Sequence, residues 1–239
     1  MKFFLIIGGT GVMGASAIRA IHEHFDKNIV IIANWYGKEI PGFEIEGANH
    51  TIFGDINDPN CRNKIKSFNN GSFDYMFYAT ALGDVGIPIK DATKDQIIRS
   101  NKLSFDPIPQ LENELSIETT VAYSTFYTIR HQLSTYGAMG HSKENIEKWA
   151  VETDGTSKHA CIRAGLFESP SSRGIKLLLR KTSKNLDNLK DPLLRSYFEN
   201  SPSSEGIKKF VEGIFKEEKE EYGDCRTDKE DLFRAHLEL

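Results

Sequence analysis

The chain has 239 residues, of which 39% are hydrophobic and 27% are charged, and its formal net charge at pH 7 is −4. This length and composition predict one globular domain with a single sizeable core. The weakly negative charge argues against nucleic acid as a partner, because binding to a phosphate backbone requires clustered Lys and Arg side chains.

The first predicted element is a short buried strand followed by a glycine-rich turn. The apolar run over residues 3–7 suits a strand covered on both faces, and residues 15–18 begin a helix. Between them lie the residues that we expect to hold a phosphate group: Gly8, Gly9, Thr10, Gly11, Val12, Met13 and Gly14. Glycines allow a sharp turn that brings backbone N–H groups and a helix N-terminus close to negative charge. The pattern predicts a dinucleotide-binding turn, with a merely structural turn as the alternative.

The second strand is predicted over residues 28–33 and ends at Asn34 and Trp35. In dinucleotide sites this position meets the adenosine ribose, where an acidic side chain favours the unphosphorylated cofactor. Asn34 is uncharged and Lys38 follows it, so the sequence favours NADP(H) over NAD(H). Trp35 either stacks on adenine or packs in the core, and the sequence leaves both alternatives open.

Further strands are predicted over residues 50–54, 73–81, 119–124 and 157–165, and helical segments alternate with them. This alternation predicts an α/β domain built on a parallel sheet. Asp58 and Pro59 are typical of a helix start after the third strand. Residues 90–116 predict a helix that Pro107 and Pro109 break or kink.

The residues that suggest chemistry follow the fifth strand. Ser124 ends that strand, and Tyr136 and Lys143 stand seven residues apart. Two helical turns span about seven residues, so we expect both side chains on one face of a helix. A tyrosine can donate the proton that accompanies hydride transfer if a nearby cation lowers its pKa from about 10. Tyr123 and Tyr127 compete for this role, although their spacing to Lys143 disfavours them.

These motifs resemble the short-chain dehydrogenase/reductase superfamily over residues 2 to about 170. The Gly-x-x-Gly-x-x-Gly loop is similar to that of extended and atypical members. The order of Ser124, Tyr136 and Lys143 is similar to the family's catalytic set, although the Tyr-x6-Lys interval resembles enoyl-acyl-carrier-protein reductases. The resemblance implies a single Rossmann-fold domain over residues 1–239, a doubly wound parallel sheet with helices on both faces.

The resemblance also implies roles for individual residues. Tyr136 would donate a proton, and Lys143 would lower the pKa of Tyr136 and hold the nicotinamide ribose. Ser124 would orient the substrate oxygen. Asn101 would hold a water of the proton relay, with a structural role at the helix break as the alternative. The remaining cofactor contacts that the resemblance implies are Asp55, Ile56, Ala79, Thr80, Ala81 and Phe167.

The last part of the chain is predicted to cover the site. Residues 166–202 occupy the place of a substrate lid, and residues 203–239 form a helix and a tail that packs on the domain or on a partner subunit. The basic residues of the lid either favour an acyl carrier or form a solvated face. We expect no metal site, because the histidine spacing suits none.

The expected function is NAD(P)H-dependent reduction of a carbonyl or conjugated enoyl group in a small or acyl substrate. The alternative is a non-catalytic NAD(P)-binding regulator. The cysteines form no paired motif and no segment reaches the length of a membrane span, so we expect a cytoplasmic protein. The family resemblance implies a possible homo-oligomer.

Overall fold

The computed structural model describes residues 1–25, 28–152, 157–223 and 229–237. In these ranges the strands form one parallel six-stranded sheet in the order β3-β2-β1-β4-β5-β6. Their bounds are β1 Lys2–Ile7, β2 Ile29–Trp35, β3 His50–Phe53, β4 Ser72–Tyr78, β5 Ser116–Thr125 and β6 Lys158–Ala164. Cys225 lies outside the described residues.

In the described residues, one or more α-helices follow every strand except β2. Their bounds are α1 Val12–His24, α2 Pro59–Lys66, α3 Lys94–Ser104, α4 Pro107–Glu114, α5 Arg130–Leu133, α6 Gly137–Ala150, α7 Pro170–Thr182, α8 Pro192–Ser196, α9 Ser203–Tyr222 and α10 Lys229–Leu237. The predicted α/β class is therefore confirmed.

The first strand is the centre of the sheet, and its side chains are buried on both faces. Phe4, Leu5 and Ile6 are fully buried, as their continuous apolar run predicts for a parallel strand. In register, Leu5 lies beside Ile32 of β2 and Met76 of β4. Alternate residues of the strand therefore supply two separate cores.

Helices cover both faces of the sheet. On one face, Leu5 packs in a cluster with Ile65 of α2, Leu111 of α4 and Ile146 of α6. On the other face, residues of α1 and α10 pack against alternate strand residues such as Phe4. This arrangement is the doubly wound sheet that the sequence predicts.

A third apolar cluster lies beside the sheet and joins the last helices. Leu179 of α7, Leu194 of α8 and Phe210 of α9 pack around Ile129, which precedes α5. The segment predicted as a lid therefore shares an apolar core with α9 and Ile129, and one of its helices, α7, borders the cavity described below.

Several boundaries differ from the predictions for local reasons. The segment over residues 90–116, predicted as a helix that proline breaks or kinks, contains two α-helices. The first, α3, ends at Ser104, and the second, α4, begins at Pro107. Asp58 caps α2 through the amide of Asn60, as predicted. The tail helix α10 packs on α1 of the same chain, where the Arg19 guanidinium stacks on the Phe233 ring.

The strand order reverses beside β1, and this reversal opens a crevice at the carboxyl ends of the strands. The amides of Gly8 and Gly9 donate to the Asn34 carbonyl on one side, and the Ala79 amide donates to the Ile7 carbonyl on the other. The glycine turn therefore lies where the two halves of the sheet meet, beside the carboxyl end of β1.

Gly14→Ala should destabilise the protein, because a Cβ there would lie 2.4 Å from the Gly8 carbonyl oxygen and 2.8 Å from the Gly9 Cα. We expect a loss of about 1–3 kcal/mol in the free energy of unfolding, measured by chemical denaturation. Gly174→Ala in α7 is the matched control, since no atom lies within 4 Å of its Cβ position. That change should be neutral or stabilise by up to about 1 kcal/mol. Equal stability of the two variants would contradict the packing argument.

Candidate active site

A cavity of about 370 Å³ opens at the crevice between β1 and β4. It is bordered by the glycine turn, the ends of β4 and β5, and parts of α6 and α7. The residues predicted for a site that border this cavity are Gly8, Thr10, Gly11, Val12, Met13, Asn34, Ile56, Ala79, Thr80, Ala81, Ser124, Tyr136, Lys143 and Phe167. The fold therefore brings together most of the residues selected from the sequence.

The glycine turn has the geometry of an anion cradle. Gly8 has a φ of 86°, a conformation that favours glycine, and its Cβ position would lie 3.0 Å from the Ala79 backbone. Gly11 caps α1 without a side chain, and the first turn of α1 carries no acidic residue. The N-terminus of α1 therefore presents backbone N–H groups to the cavity, which fits a pyrophosphate.

Gly9 and Gly14 support this cradle from outside the cavity. The Cβ position of Gly9 faces Ala33 and Ile45 at 3.1 and 3.0 Å, and that of Gly14 faces the turn itself. Both glycines therefore serve close backbone packing, which sets how near α1 comes to the turn.

The end of β2 differs from the ribose-binding arrangement expected there. The Asn34 amide nitrogen donates to the carbonyls of Gly54 and Ile52 at 3.0 and 3.3 Å, so this donor is used inside the fold. Trp35 points to the opposite face, where it is 7% exposed and contacts the rings of Phe43 and Phe53. Trp35 therefore packs in the core rather than bordering the cavity.

Two predicted cofactor contacts follow β3, and they differ in their positions. Asp55 accepts a hydrogen bond from the Asn57 amide at 2.9 Å and closes a local turn, whereas Ile56 is buried and borders the cavity. Tyr36, which the sequence did not single out, also borders the cavity. Asp55 is thus held by its own turn beside the site.

Tyr136 is placed by a turn before α6, and not by helix periodicity. The helix begins at Gly137, whose φ is 50°, and Tyr136 forms an isolated parallel bridge with Ile87. Burial raises the pKa of the Tyr136 hydroxyl to about 12. This direction is opposite to the lowering expected from a nearby lysine, and its cause is the loss of solvent around the hydroxyl.

Lys143 is a buried cation at the wall of the cavity. It is 6% exposed, and its ammonium donates to the Tyr123 carbonyl at 2.8 Å. Burial lowers its pKa to about 8, although the Glu147 carboxylate acts in the opposite direction. Lys143 is therefore mainly protonated at pH 7 but close to its titration range.

Glu147 is a member of the site that the sequence analysis missed. Its carboxylate accepts from the Ser124 hydroxyl at 2.6 Å, and the Arg163 guanidinium donates to both of its oxygens at 2.9 and 2.6 Å. The signal was present, because Glu147 follows Lys143 by one helical turn and shares its face. Ser124 is 2% exposed, so its hydroxyl is held between strand and helix.

Asn101 lies away from the cavity, between α3 and α6. Its side-chain oxygen accepts from the Ser142 hydroxyl at 2.8 Å, and Ser142 is also 2.8 Å from the Ser100 hydroxyl. Its backbone carbonyl accepts from the amides of Phe105 and Asp106 at the helix end. Asn101 therefore joins two helices in this structure.

The described part of the chain holds neither a cluster of metal ligands nor a membrane-spanning helix. Within the described residues, no three His, Cys, Asp or Glu side chains come together as ligands for a metal ion. Of the helices that the structure describes, none combines the length and the apolar character that crossing a membrane requires.

No family model matches the chain, and no curated protein matches it in sequence. Solved structures match it at low identity. The KRED1-Pglu enzyme is 12% identical, with a TM-score of 0.66 over 99% of this chain and 93% of its own. A short chain dehydrogenase family protein from Francisella tularensis subsp. tularensis SCHU S4 is 18% identical, with a TM-score of 0.57 over 97% and 93%. NAD⁺-bound xylitol dehydrogenase is 13% identical, with a TM-score of 0.60 over 89% and 84%. At these identities the similarity shows a shared fold.

Lys143→Met should stabilise the protein at pH 7 and lose this advantage at high pH. Below pH 8 the folded protein carries the buried charge, which costs up to about 3 kcal/mol for a pKa that falls from 10.5 to about 8. Between about pH 8 and 10.5 the folded state releases its proton first, so the stability of the original protein rises with pH. Chemical denaturation at pH 7 and 10 measures the difference.

Lys148→Met is the control, because Lys148 is an exposed residue of the same helix that pairs with Glu144. Its effect on the free energy of unfolding should be small at both pH values. A stability difference for Lys143→Met that does not change with pH would contradict the assigned burial cost.

Proposed function

We propose that this chain, whose fold is that of the short-chain dehydrogenase/reductases, is an NAD(P)-dependent oxidoreductase that reduces a carbonyl or conjugated enoyl group. The observation that carries the proposal is the convergence of Tyr136, Lys143 and Ser124 on the cavity that the glycine turn also borders. Hydride transfer requires a dinucleotide and a proton donor at one place, and this cavity offers residues for both.

The described residues fit a dinucleotide. The N-terminus of α1 and the turn at Gly8 and Gly11 would hold the pyrophosphate, and Lys143 would bind the nicotinamide ribose. Ala79 and Thr80 leave room for the dinucleotide to pass along the end of β4. A bound nicotinamide would supply the hydride. We propose NADP(H) over NAD(H), because the end of β2 offers no carboxylate to a ribose 2′-hydroxyl.

Tyr136 is the proposed proton donor. Its pKa of about 12 keeps the hydroxyl protonated throughout the neutral range. When the substrate carbon accepts hydride, its oxygen gains negative charge, and the Tyr136 proton moves to that oxygen to give the alcohol. The Lys143 cation then stabilises the tyrosinate that remains, and solvent returns the proton.

The substrate would enter beside α7. Leu166, Ser169 and Ile175 border the cavity from the segment that we propose as the lid, and they mix apolar and hydroxyl groups. Such a wall suits a small or acyl substrate with limited polarity. Ser124 lies at the end of β5 on the same cavity and would position the reacting oxygen.

Tyr136→Phe should lower turnover by about two to four orders of magnitude, because it removes the proton donor and keeps the ring. The measurement is NADPH oxidation with a panel of ketones and enoyl thioesters. NADPH affinity should stay close to the original value. Tyr127→Phe is the matched control, since Tyr127 is a neighbouring tyrosine that competes for the role in sequence. Full activity of Tyr136→Phe would rule out this mechanism.

Lys143→Ala should weaken NADPH binding about tenfold or more, because it removes a buried donor from the ribose end of the cavity. Fluorescence titration with NADPH and with NADH measures both the affinity and the preference between the two cofactors. Lys148→Ala on the exposed side of α6 serves as the control. Unchanged affinity in Lys143→Ala would place Lys143 outside the cofactor site and favour the non-catalytic regulator.

A further inference from the structure

The direction of the Ser124 hydrogen bond limits what the site can bind. The Ser124 hydroxyl lies 2.6 Å from a Glu147 carboxylate oxygen, and a longer contact runs to the Thr125 carbonyl at 3.3 Å. Both neighbours are acceptors, so Ser124 must be the donor to either one. Its single proton is therefore directed toward Glu147 and away from the cavity.

Glu147 also pairs with a guanidinium of the neighbouring strand β6. The Arg163 guanidinium donates from Nε to one carboxylate oxygen and from Nη2 to the other, which is the paired geometry of a strong ion pair. The Glu147 side chain is 16% exposed, so little water competes for the Ser124 proton. An ionised carboxylate cannot donate, and this fixes the polarity of the Ser124 bond.

The two hydroxyls that border the cavity thus have different tasks. Tyr136 keeps its proton and can donate, whereas Ser124 has only lone pairs left for a ligand. A ketone oxygen accepts from Tyr136 but finds no donor at Ser124. An alcohol oxygen can accept from Tyr136 and donate its own proton to Ser124 at the same time.

We propose that Glu147 is a positioning residue that makes Ser124 an acceptor, so that the site binds a secondary alcohol more tightly than the matching ketone. This inference rests on the proposed function and narrows it to the alcohol and ketone pair. Enoyl reduction does not fit this arrangement, because the thioester oxygen is a carbonyl in both the substrate and the product and has no proton to donate to Ser124 in either.

The test compares the KM of matched alcohols and ketones in both reaction directions. Suitable pairs are isopropanol with acetone, cyclohexanol with cyclohexanone, and lactate with pyruvate. For each pair that the original protein turns over, the KM of the alcohol should be about tenfold lower than the KM of the ketone. This ratio corresponds to the free energy of one hydrogen bond. Glu147→Met removes the acceptor with little change in volume, so Ser124 can turn its proton to the cavity. The ratio of the two KM values should then approach one, while kcat changes less.

Glu144→Met is the matched control, because Glu144 lies on the same helix and pairs with the exposed Lys148. It should keep the alcohol preference. Equal KM values in the original protein, or an unchanged preference in Glu147→Met, would overturn the assignment of Glu147. A protein that binds NADPH but turns over none of the pairs would contradict the proposed function, and this inference with it.

Discussion

The burial of one cation, Lys143, sets conditions that the rest of the site must meet. An ammonium group that is 6% exposed lowers stability unless hydrogen bonds and opposite charge compensate it. The Tyr123 carbonyl and the Glu147 carboxylate provide this compensation in part, and burial still lowers the pKa of Lys143 to about 8. A fold that only needed packing at this position would use an apolar side chain, and the proposed binding of a ligand by Lys143 accounts for the retained cost.

The same constraint connects the cavity to the far face of the sheet. The backbone carbonyl of Tyr123 accepts the hydrogen bond from Lys143. The Tyr123 side chain lies in the core on the opposite face of the sheet, where the hydroxyl is 2.6 Å from His236 of α10. His236 also contacts the Phe77 ring. Because strand residues alternate between faces, one residue can support both the site and the docking of the last helix. The tail helix is thereby part of the framework that holds Lys143.

The sequence predicts what depends on local pattern and misses what depends on which way a side chain faces. The strands, the Asp58 cap and the glycine turn follow from apolar runs and from backbone rules. The burial of Trp35, the turn at Asp55 and the raised pKa of Tyr136 depend on tertiary neighbours that no spacing reveals. Glu147 could have been found from its interval to Lys143, but not its bond to Ser124, which joins a helix to a strand.

The Tyr-x6-Lys interval shows why spacing and geometry must be separated. Tyr136 stands directly before α6, and the first helical position needs a glycine, because a Cβ on Gly137 would lie 2.2 Å from the Asp84 carbonyl oxygen. The Gly137 and Ala138 amides instead donate to the carbonyls of Ile87 and Asp84. The residues from Tyr136 to Lys143 therefore do not form two turns of one helix. They begin with a turn that the segment after β4 holds in place. An interval of this kind does not by itself assign a reaction class; the polarity of the hydroxyls at the cavity is the stronger guide.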